Sequence, residues 1–473
     1  MKKIHLLSLF VILTFLVLYI NFRSVEAVSS GFSTPINISG NHGDSILPQM
    51  AISGNDVFIV WNDNSTGKYG ILLAKSTDGG MTFGTPVDIS RNIGSSSSPQ
   101  FAVSGNDVYV AWQAKTTGKY QIIFAKSTDG GATFSTPANI SNNSGDSSYP
   151  KIIASGNNIY VTWSFTVTNK DYDVLFTKST DGGATFSTPA NISNNSGDSG
   201  LPQMVVSGNN VYVTWENNGL GNFEVFVAKS TDNGDTFTFP VNVSNDDAPS
   251  GAPQITASGK NVYVSWMDKT SGNYDVFVAK SSNAGSTFGT PINVSKTTKD
   301  SGYQQMTSSG NNIYVVWTET ISDKNYDVFF AKSTDGGSNF DTPVNISNNV
   351  GPSGWAVVTA TNNVYVAWED STAGNYDMFI AKSTDGGSTF GAPVNISNTT
   401  EESAFVQMIA TNDGVYLAWH DGTPNQHEVL FAKSITFVPE FGPVAPLVLV
   451  VALISIILIY AKTMTRLKIR HIP

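Results

Sequence analysis

Eight tryptophans, Trp61, Trp112, Trp163, Trp215, Trp266, Trp317, Trp368 and Trp419, fall 51 or 52 residues apart, and only Trp355 stands outside the series. A fixed period of this length constrains the fold more than any local pattern does. Each unit must be one supersecondary motif whose apolar face is covered by its neighbours. The unit reads PQ-x-x-x-SGN-x-VYV-x-W, a polar loop, YDVF-x-AKSTDGG-x-TF, then TPVNIS and a second polar loop. Inside it the apolar residues alternate with period two, as in VYVTW (211–215) and FEVFVA (223–228), and Gly, Asn, Asp and Ser separate the runs. No stretch between residues 31 and 437 carries a helical period. Four short strands fit each unit: one before SGN, one ending at Trp, one ending at AKS, and one at TPVNIS.

Four-stranded units at this spacing predict an all-β, eight-bladed β-propeller. The ends favour that closed ring over an array of β-sandwiches. Gly31 to Ser39 matches a fourth strand with no preceding three, and Val429 to Ser434 matches a third strand with no proper fourth. Pairing the two closes the ring through an N-terminal strand and removes the exposed sheet edges of an open array. Seven blades plus a decayed unit is the alternative count.

The flanks read differently from the repeats. Lys2 and Lys3 precede an apolar run from Leu6 to Ile20, and Val25-Glu26-Ala27 offers a small-residue cleavage site, so residues 1–27 read as a signal peptide. Residues 443–461 carry no charge. As a helix rising about 1.5 Å per residue they would cross a roughly 30 Å hydrocarbon core. The tail 462–473 holds Lys462, Arg466, Lys468 and Arg470, which the positive-inside tendency places in the cytoplasm. The ectodomain, residues 28–437, is therefore expected at the cell surface on a single membrane span. Of the net charge of −11, the first 27 residues contribute +2 and the tail +4, which leaves −17 between them. Such a domain repels nucleic acid and anionic lipid. The absence of cysteine excludes disulfides, thiolate metal sites and a cysteine nucleophile.

Two segments carry family resemblances. Ser76-Thr77-Asp78-Gly79-Gly80-Met81-Thr82-Phe83 resembles the Asp box, S-x-D-x-G-x-T-W/F, of sialidase-type propellers with BNR repeats. Further copies begin at Ser127, Ser179, Ser230, Ser333 and Ser383; the copy at Ser281 has Asn283-Ala284, and the last unit has lost the motif. The resemblance implies a structural role, on the propeller rim, for Asp78, Asp129, Asp181, Asp232, Asp335 and Asp385. Ser and Asp side chains can cap backbone N–H groups of a turn there, and Gly supplies positive φ. Residues 438–442 contain Pro439-Glu440-Phe441-Gly442, directly before the apolar span, and resemble the PEFG-type sorting signals of archaeal surface proteins. That resemblance implies a sorting protease as a partner; a plain single-pass anchor is the alternative.

The sialidase resemblance does not carry sialidase activity. Those enzymes clamp a substrate carboxylate with three arginines, because paired guanidinium hydrogen bonds match a carboxylate as lysine cannot. Here Arg91 is the only arginine between residues 28 and 437, and fold similarity without the site transfers no function. A glycosidase of another class needs two carboxylates about 5 Å apart or somewhat further. Candidates after the repeat tryptophans are Glu216, Glu319, Glu369 and Asp421, beside Asp63, Asp268 and Asp370, all assigned to loops. Solvated acidic loops are the default reading of them. His420 and His427 are expected in one loop with Asp421 and Glu428, without zinc-type spacing. The NNSGDS loops (142–147 and 194–199) offer oxygen ligands for calcium without an EF-hand pattern, so no metal or cofactor is assigned. Of the N-x-S/T sequons, seven sit in the repeated N-I/V-S strand; Asn64, Asn142, Asn194 and Asn398 lie in loops and are the glycosylation candidates.

The expectation is a non-enzymatic surface propeller that binds an extracellular glycan or protein, or builds the envelope. A carbohydrate-active hydrolase or lyase using two loop carboxylates is the alternative.

Overall fold

The computed structural model describes residues 31–434, apart from 41–42, 92, 168–170, 195 and 424–425. The readings for residues 1–27 and 438–473 fall outside the described residues. Among the described residues no helix is long and apolar enough to cross a membrane.

The described residues form eight four-stranded antiparallel sheets. In the first complete sheet, β2 (Ser45–Ser53), β3 (Asp56–Asp63), β4 (Gly70–Ser76) and β5 (Val87–Asp88) pair in chain order, and six further sheets repeat this pattern. The eighth contains β30 (Glu402–Thr411), β31 (Gly414–Thr423), β32 (Gln426–Lys433) and the N-terminal β1 (Ile36–Asn37). Ile36 lies opposite Phe431 and Asn37 opposite Leu430, flanked by backbone hydrogen bonds Ser33 N–H to Lys433 O and Ile38 N–H to Val429 O, each 2.8 Å. The first strand of every sheet touches the first strands on both sides, and β30 touches β2, so the inner strands form a closed ring. The eight-bladed count and the closing strand both match the sequence reading. Blades are numbered 1 to 8 from the sheet that begins at Ser45.

The cores lie between blades. All eight repeat tryptophans have no solvent exposure. Trp215 stacks on Phe226 at 6.4 Å and Trp266 on Phe277 at 6.2 Å, each on the neighbouring strand of its own blade. A side chain of this size, buried once per blade, is the largest recurring apolar contribution.

The S-x-D-x-G turns join third to fourth strands and are closed by their own side chains. In the first, Ser76 Oγ donates to Asp78 Oδ1 (2.7 Å) and accepts from Gly80 N–H (2.8 Å), while Asp78 Oδ1 accepts Thr82 N–H (2.9 Å). A Cβ on Gly80 would lie 2.6 Å from the Phe431 ring of blade 8, so glycine is required there for space as well as for its φ of 81°. The repeated lysine is a brace between blades. Lys433 Nζ donates to Gly79 O (2.8 Å), Lys126 Nζ to Gly182 O (2.8 Å) and Lys178 Nζ to Asn233 O (2.9 Å). Each bond runs to the S-x-D-x-G turn of the next blade. The repeated asparagine of N-I/V-S also bonds locally: Asn139, Asn191 and Asn395 Oδ1 accept the N–H of Asn142, Asn194 and Asn398 (2.9, 3.0 and 2.8 Å). These are Asx turns whose fourth residue is left-handed.

Candidate functional site

The S-x-D-x-G turns and the SGN hairpins share one face of the ring, as Gly79 N–H to Asn55 O (2.9 Å) shows. The opposite face carries the starts of the first strands and the ends of the second. Each first strand there contains a bulge two or three residues in, and the bulged residue is left-handed in every blade. These residues are Leu47, Ser98, Tyr149, Leu201, Ala252, Tyr303, Trp355 and Phe405, with φ between 50° and 57°. None is glycine, although a positive φ is uncommon for bulky side chains and costs about 1–2 kcal/mol per residue. Tyr149, Tyr303, Trp355 and Phe405 nevertheless expose 55, 55, 51 and 46% of their surface.

Three of these rings form an arc across blades 6 to 8. Tyr303 meets Trp355 at 4.4 Å between centroids, and Trp355 meets Phe405 at 6.1 Å. His420 stacks behind Phe405 at 5.2 Å. Trp355 and Phe405 border a 520 Å³ cavity at the inner ring, which Tyr149, Lys151 and Leu201 also line. A neighbouring cleft of 760 Å³ over blades 2 to 4 is lined by Tyr120, Tyr149, Tyr172, Phe223 and Glu216 among others.

In four blades the residue after the repeat tryptophan reaches the next blade's bulge. Gln113 Oε1 accepts Tyr149 N–H (3.0 Å), Glu216 Oε2 accepts Ala252 N–H (2.9 Å), Glu369 Oε1 accepts Phe405 N–H (2.7 Å), and His420 Nδ1 accepts Leu47 N–H (3.3 Å). Burial raises the Glu216 pKa, offset in part by the Ala252 N–H. Burial raises that of Glu369 to about 7 against the hydrogen bond from Phe405. His420 is lowered to about 4, first by burial and then by the nearby His427.

The residue two beyond the tryptophan turns the other way, into its own blade. Asp268 Oδ2 accepts Trp266 Nε1–H (3.0 Å) and Ser250 Oγ–H (2.9 Å), and Asp370 Oδ2 accepts from Trp368 (3.1 Å) and Ser353 (2.9 Å). Asp421 Oδ2 accepts from Ser403 (2.5 Å) and Thr399 (2.9 Å). Glu319 Oε1 accepts from Thr297 (2.9 Å), and burial raises its pKa. The four carboxylate candidates therefore divide. Glu216 and Glu369 brace the site face from two different seams, between blades 4 and 5 and between blades 7 and 8, whereas Glu319 ties its strand to the loop at Thr297 and Asp421 joins β31 to β30. The loop assignment is corrected: Asp63, Glu216, Asp268, Glu319, Glu369, Asp370 and Asp421 all lie within second strands. The pleat continues past the tryptophan, so adjacent residues point to opposite faces. His420 and His427 are likewise on the paired strands β31 and β32 rather than in one loop, with rings 5.0 Å apart. His427 Nδ1 lies 2.6 Å from Asp44 Oδ1.

The other sequence candidates are not part of the arc. Asp78, Asp129, Asp181, Asp232, Asp335 and Asp385 close the turns on the opposite face, with their carboxyls held well below the ordinary range by hydrogen bonds, first from Thr82 for Asp78 and from Thr133 for Asp129, the latter at about 2. The Arg91 guanidinium donates to Phe134 O (2.5 Å), at the S-x-D-x-G turn of blade 2. Asn64 Oδ1 accepts Asp44 N–H (2.6 Å), whereas Asn142, Asn194 and Asn398 are exposed. In the first NNSGDS loop Asp146 accepts Tyr120 N–H (2.8 Å) and pairs with Lys119 (3.1 Å). No group of three His, Asp or Glu residues among the described residues is placed to hold a metal ion. The bulge ring escaped the sequence reading, although Trp355 had already stood out as the tryptophan off the ruler.

No family model and no curated protein matches the chain. Among solved structures it is similar to an ulvan lyase of polysaccharide lyase family PL25 bound to -[GlcA(1-4)Rha3S]-, at 12% identity and a TM-score of 0.47, over 70% of this chain and 90% of that one. The polysaccharide lyase Uly1 is similar at 10% identity and a TM-score of 0.48, over 73% and 90%. The Trypanosoma rangeli sialidase in complex with sialic acid is similar at 11% identity and a TM-score of 0.42, over 86% and 60%.

Proposed function

We propose that this propeller is a non-enzymatic binding module for an extracellular glycan, which docks on the arc of Tyr303, Trp355 and Phe405. The observation that supports the reading is that arc itself. Bulky aromatic side chains occupy left-handed backbone and stay exposed, two unfavourable conditions that the fold does not require, since glycine would make the same bulge at lower cost. Contiguous exposed aromatics beside a cavity mark a ligand surface, and the apolar faces of sugar rings stack on such platforms. In this reading the propeller stands outside the cell, tethered through residues 443–461 or handed to another anchor by a sorting protease. Protease treatment of intact cells should then release it.

The test is retention on a glycan array by wild-type protein and by Trp355→Ala. The variant should keep the thermal midpoint of the wild type and lose about tenfold in affinity for the retained glycan, from a stacking contribution of about 1 kcal/mol plus buried area. Absence of any retained glycan, or equal retention by both proteins, overturns the reading. The hydrolase or lyase alternative draws on one observation: the Glu369 carboxyl is protonated up to about pH 7 beside Phe405, as a general acid would be. Glycan cleavage by the wild type that Glu369→Gln abolishes would establish it.

A further inference from the structure

Two residues beyond each bulge, the first strands carry a second ring of equivalent positions: Gln49, Gln100, Gln203, Gln254, Gln305 and Gln407, with Val357 in blade 7 and Lys151 in blade 3. Lys151 replaces a neutral amide by a half-buried cation. It lines the 520 Å³ cavity beside Tyr149 and Pro150. Among the described residues it has no hydrogen-bond or ion-pair partner. The cavity it shares with Gln49, Gln100 and Gln203 is lined by no carboxylate. In a domain as acidic as this one, a half-buried ammonium with no counter-charge is a cost to the fold that a glutamine would avoid.

The surroundings supply what an anion needs. Gln100 and Gln203 stand at the equivalent positions of the blades on either side. Gln100 donates one amide hydrogen to Pro99 O (3.0 Å) and has a second to give. Burial alone depresses the Lys151 pKa, with no opposing charge to restore it, and a bound anion would supply that charge.

We infer that Lys151, flanked by the amides of Gln100 and Gln203, forms a binding site for one oxyanion, a carboxylate or a sulfate. The site goes beyond the aromatic arc and does not depend on it. The oxyanion is either free in solution or carried by an acidic sugar that also touches the arc, and the two sources are separable. The full-length chain is dialysed to equilibrium against radiolabelled sulfate, acetate or methyl glucuronoside at constant ionic strength, as wild type, Lys151→Gln, Lys151→Arg and Trp355→Ala. Six of the blades carry glutamine at this position, so Lys151→Gln is expected to fold, and Lys151→Arg tests the charge independently. Wild type should take up one saturable equivalent of sulfate or acetate per chain. Lys151→Gln should weaken it about tenfold or more, the loss expected for a charged hydrogen bond, while Lys151→Arg and Trp355→Ala retain it. If methyl glucuronoside weakens in both Lys151→Gln and Trp355→Ala, the anion arrives on a sugar; if sulfate binds and the glycoside does not, it is a free ion. No saturable uptake by the wild type, or equal uptake by Lys151→Gln, overturns the site. A failed glycan reading shows instead as Trp355→Ala leaving array retention unchanged.

Discussion

Glu369 and His420 perform the same task in adjacent seams, each accepting the N–H of a left-handed bulge residue, and both are almost fully buried, at 7 and 6% exposure. Burial moves their pKa values in opposite directions, from 4.5 to about 7 for Glu369 and from 6.5 to about 4 for His420. Each displacement corresponds to on the order of 3 kcal/mol between protonation states. Between pH 4.5 and 7 the folded protein keeps a proton on Glu369 that the unfolded chain releases. That contribution to stability is present below pH 4.5 and lost as the pH rises through 7. His420 behaves in reverse. The unfolded chain takes up a proton near pH 6.5 and the folded protein resists until about pH 4, so stability is lost as the pH falls across that window.

The two slopes oppose each other in the wild type, and substitution should expose each one. Gln113 already fills the same role in blade 2 with an uncharged amide, so Glu369→Gln and His420→Gln preserve the brace and remove only the titration. Urea unfolding at intervals from pH 4 to 8 is the assay. Glu369→Gln should match the wild type at pH 4 and exceed it by on the order of 3 kcal/mol at pH 8; His420→Gln should match it at pH 8 and exceed it by a similar amount at pH 4. Variant and wild-type curves that run parallel across this range would refute the reasoning, because the shifts would then have no origin in burial.

Two shorter predictions concern closure and the turns. Deleting residues 31–40 removes the strand that pairs with Leu430 and Phe431 and leaves β32 as an open edge; light scattering should show self-association, and hydrogen exchange should show lost protection at those two residues. Asn283 keeps the bonds of a closing aspartate, accepting from Ser281 Oγ (2.9 Å) and Thr287 N–H (3.0 Å). Asp385→Asn should therefore keep the wild-type thermal midpoint at neutral pH and lose less in acid, since the depressed carboxyl contributes stability above the ordinary carboxylate range that disappears as the pH falls through its own value.

Strand number, blade number and ring closure were legible because they repeat: the tryptophan ruler fixes the period, and the unmatched strand at residues 31–39 finds its place opposite the unmatched Val429–Ser434. The bulge was not legible. In five blades its residue precedes proline, a position biased toward extended backbone, and no glycine marks the left-handed turn. The carboxylates after tryptophan were legible as a group but not in their division. Taking period two beyond Trp317 or Trp368 would have separated Glu319, which shares the tryptophan's face, from Glu369, which faces the next seam.

Repetition and its failure carry different information in a chain of this kind. A residue that builds a blade meets the same neighbour eight times and can be the same residue eight times, as the buried tryptophans are. A residue that meets something outside the ring has no such reason to repeat. The bulge positions run Leu, Ser, Tyr, Leu, Ala, Tyr, Trp, Phe, and the positions after tryptophan run Asn, Gln, Ser, Glu, Met, Thr, Glu, His, both on the same face. The asymmetry also has a direction. Trp355 belongs to blade 7 and Lys151 to blade 3, four blades away in a ring of eight, so the aromatic arc and the unpaired cation face each other across the mouth of one cavity. A ligand with an apolar ring face and an anionic group at its other end would contact both, and an eight-fold symmetric ring would have no means of orienting it.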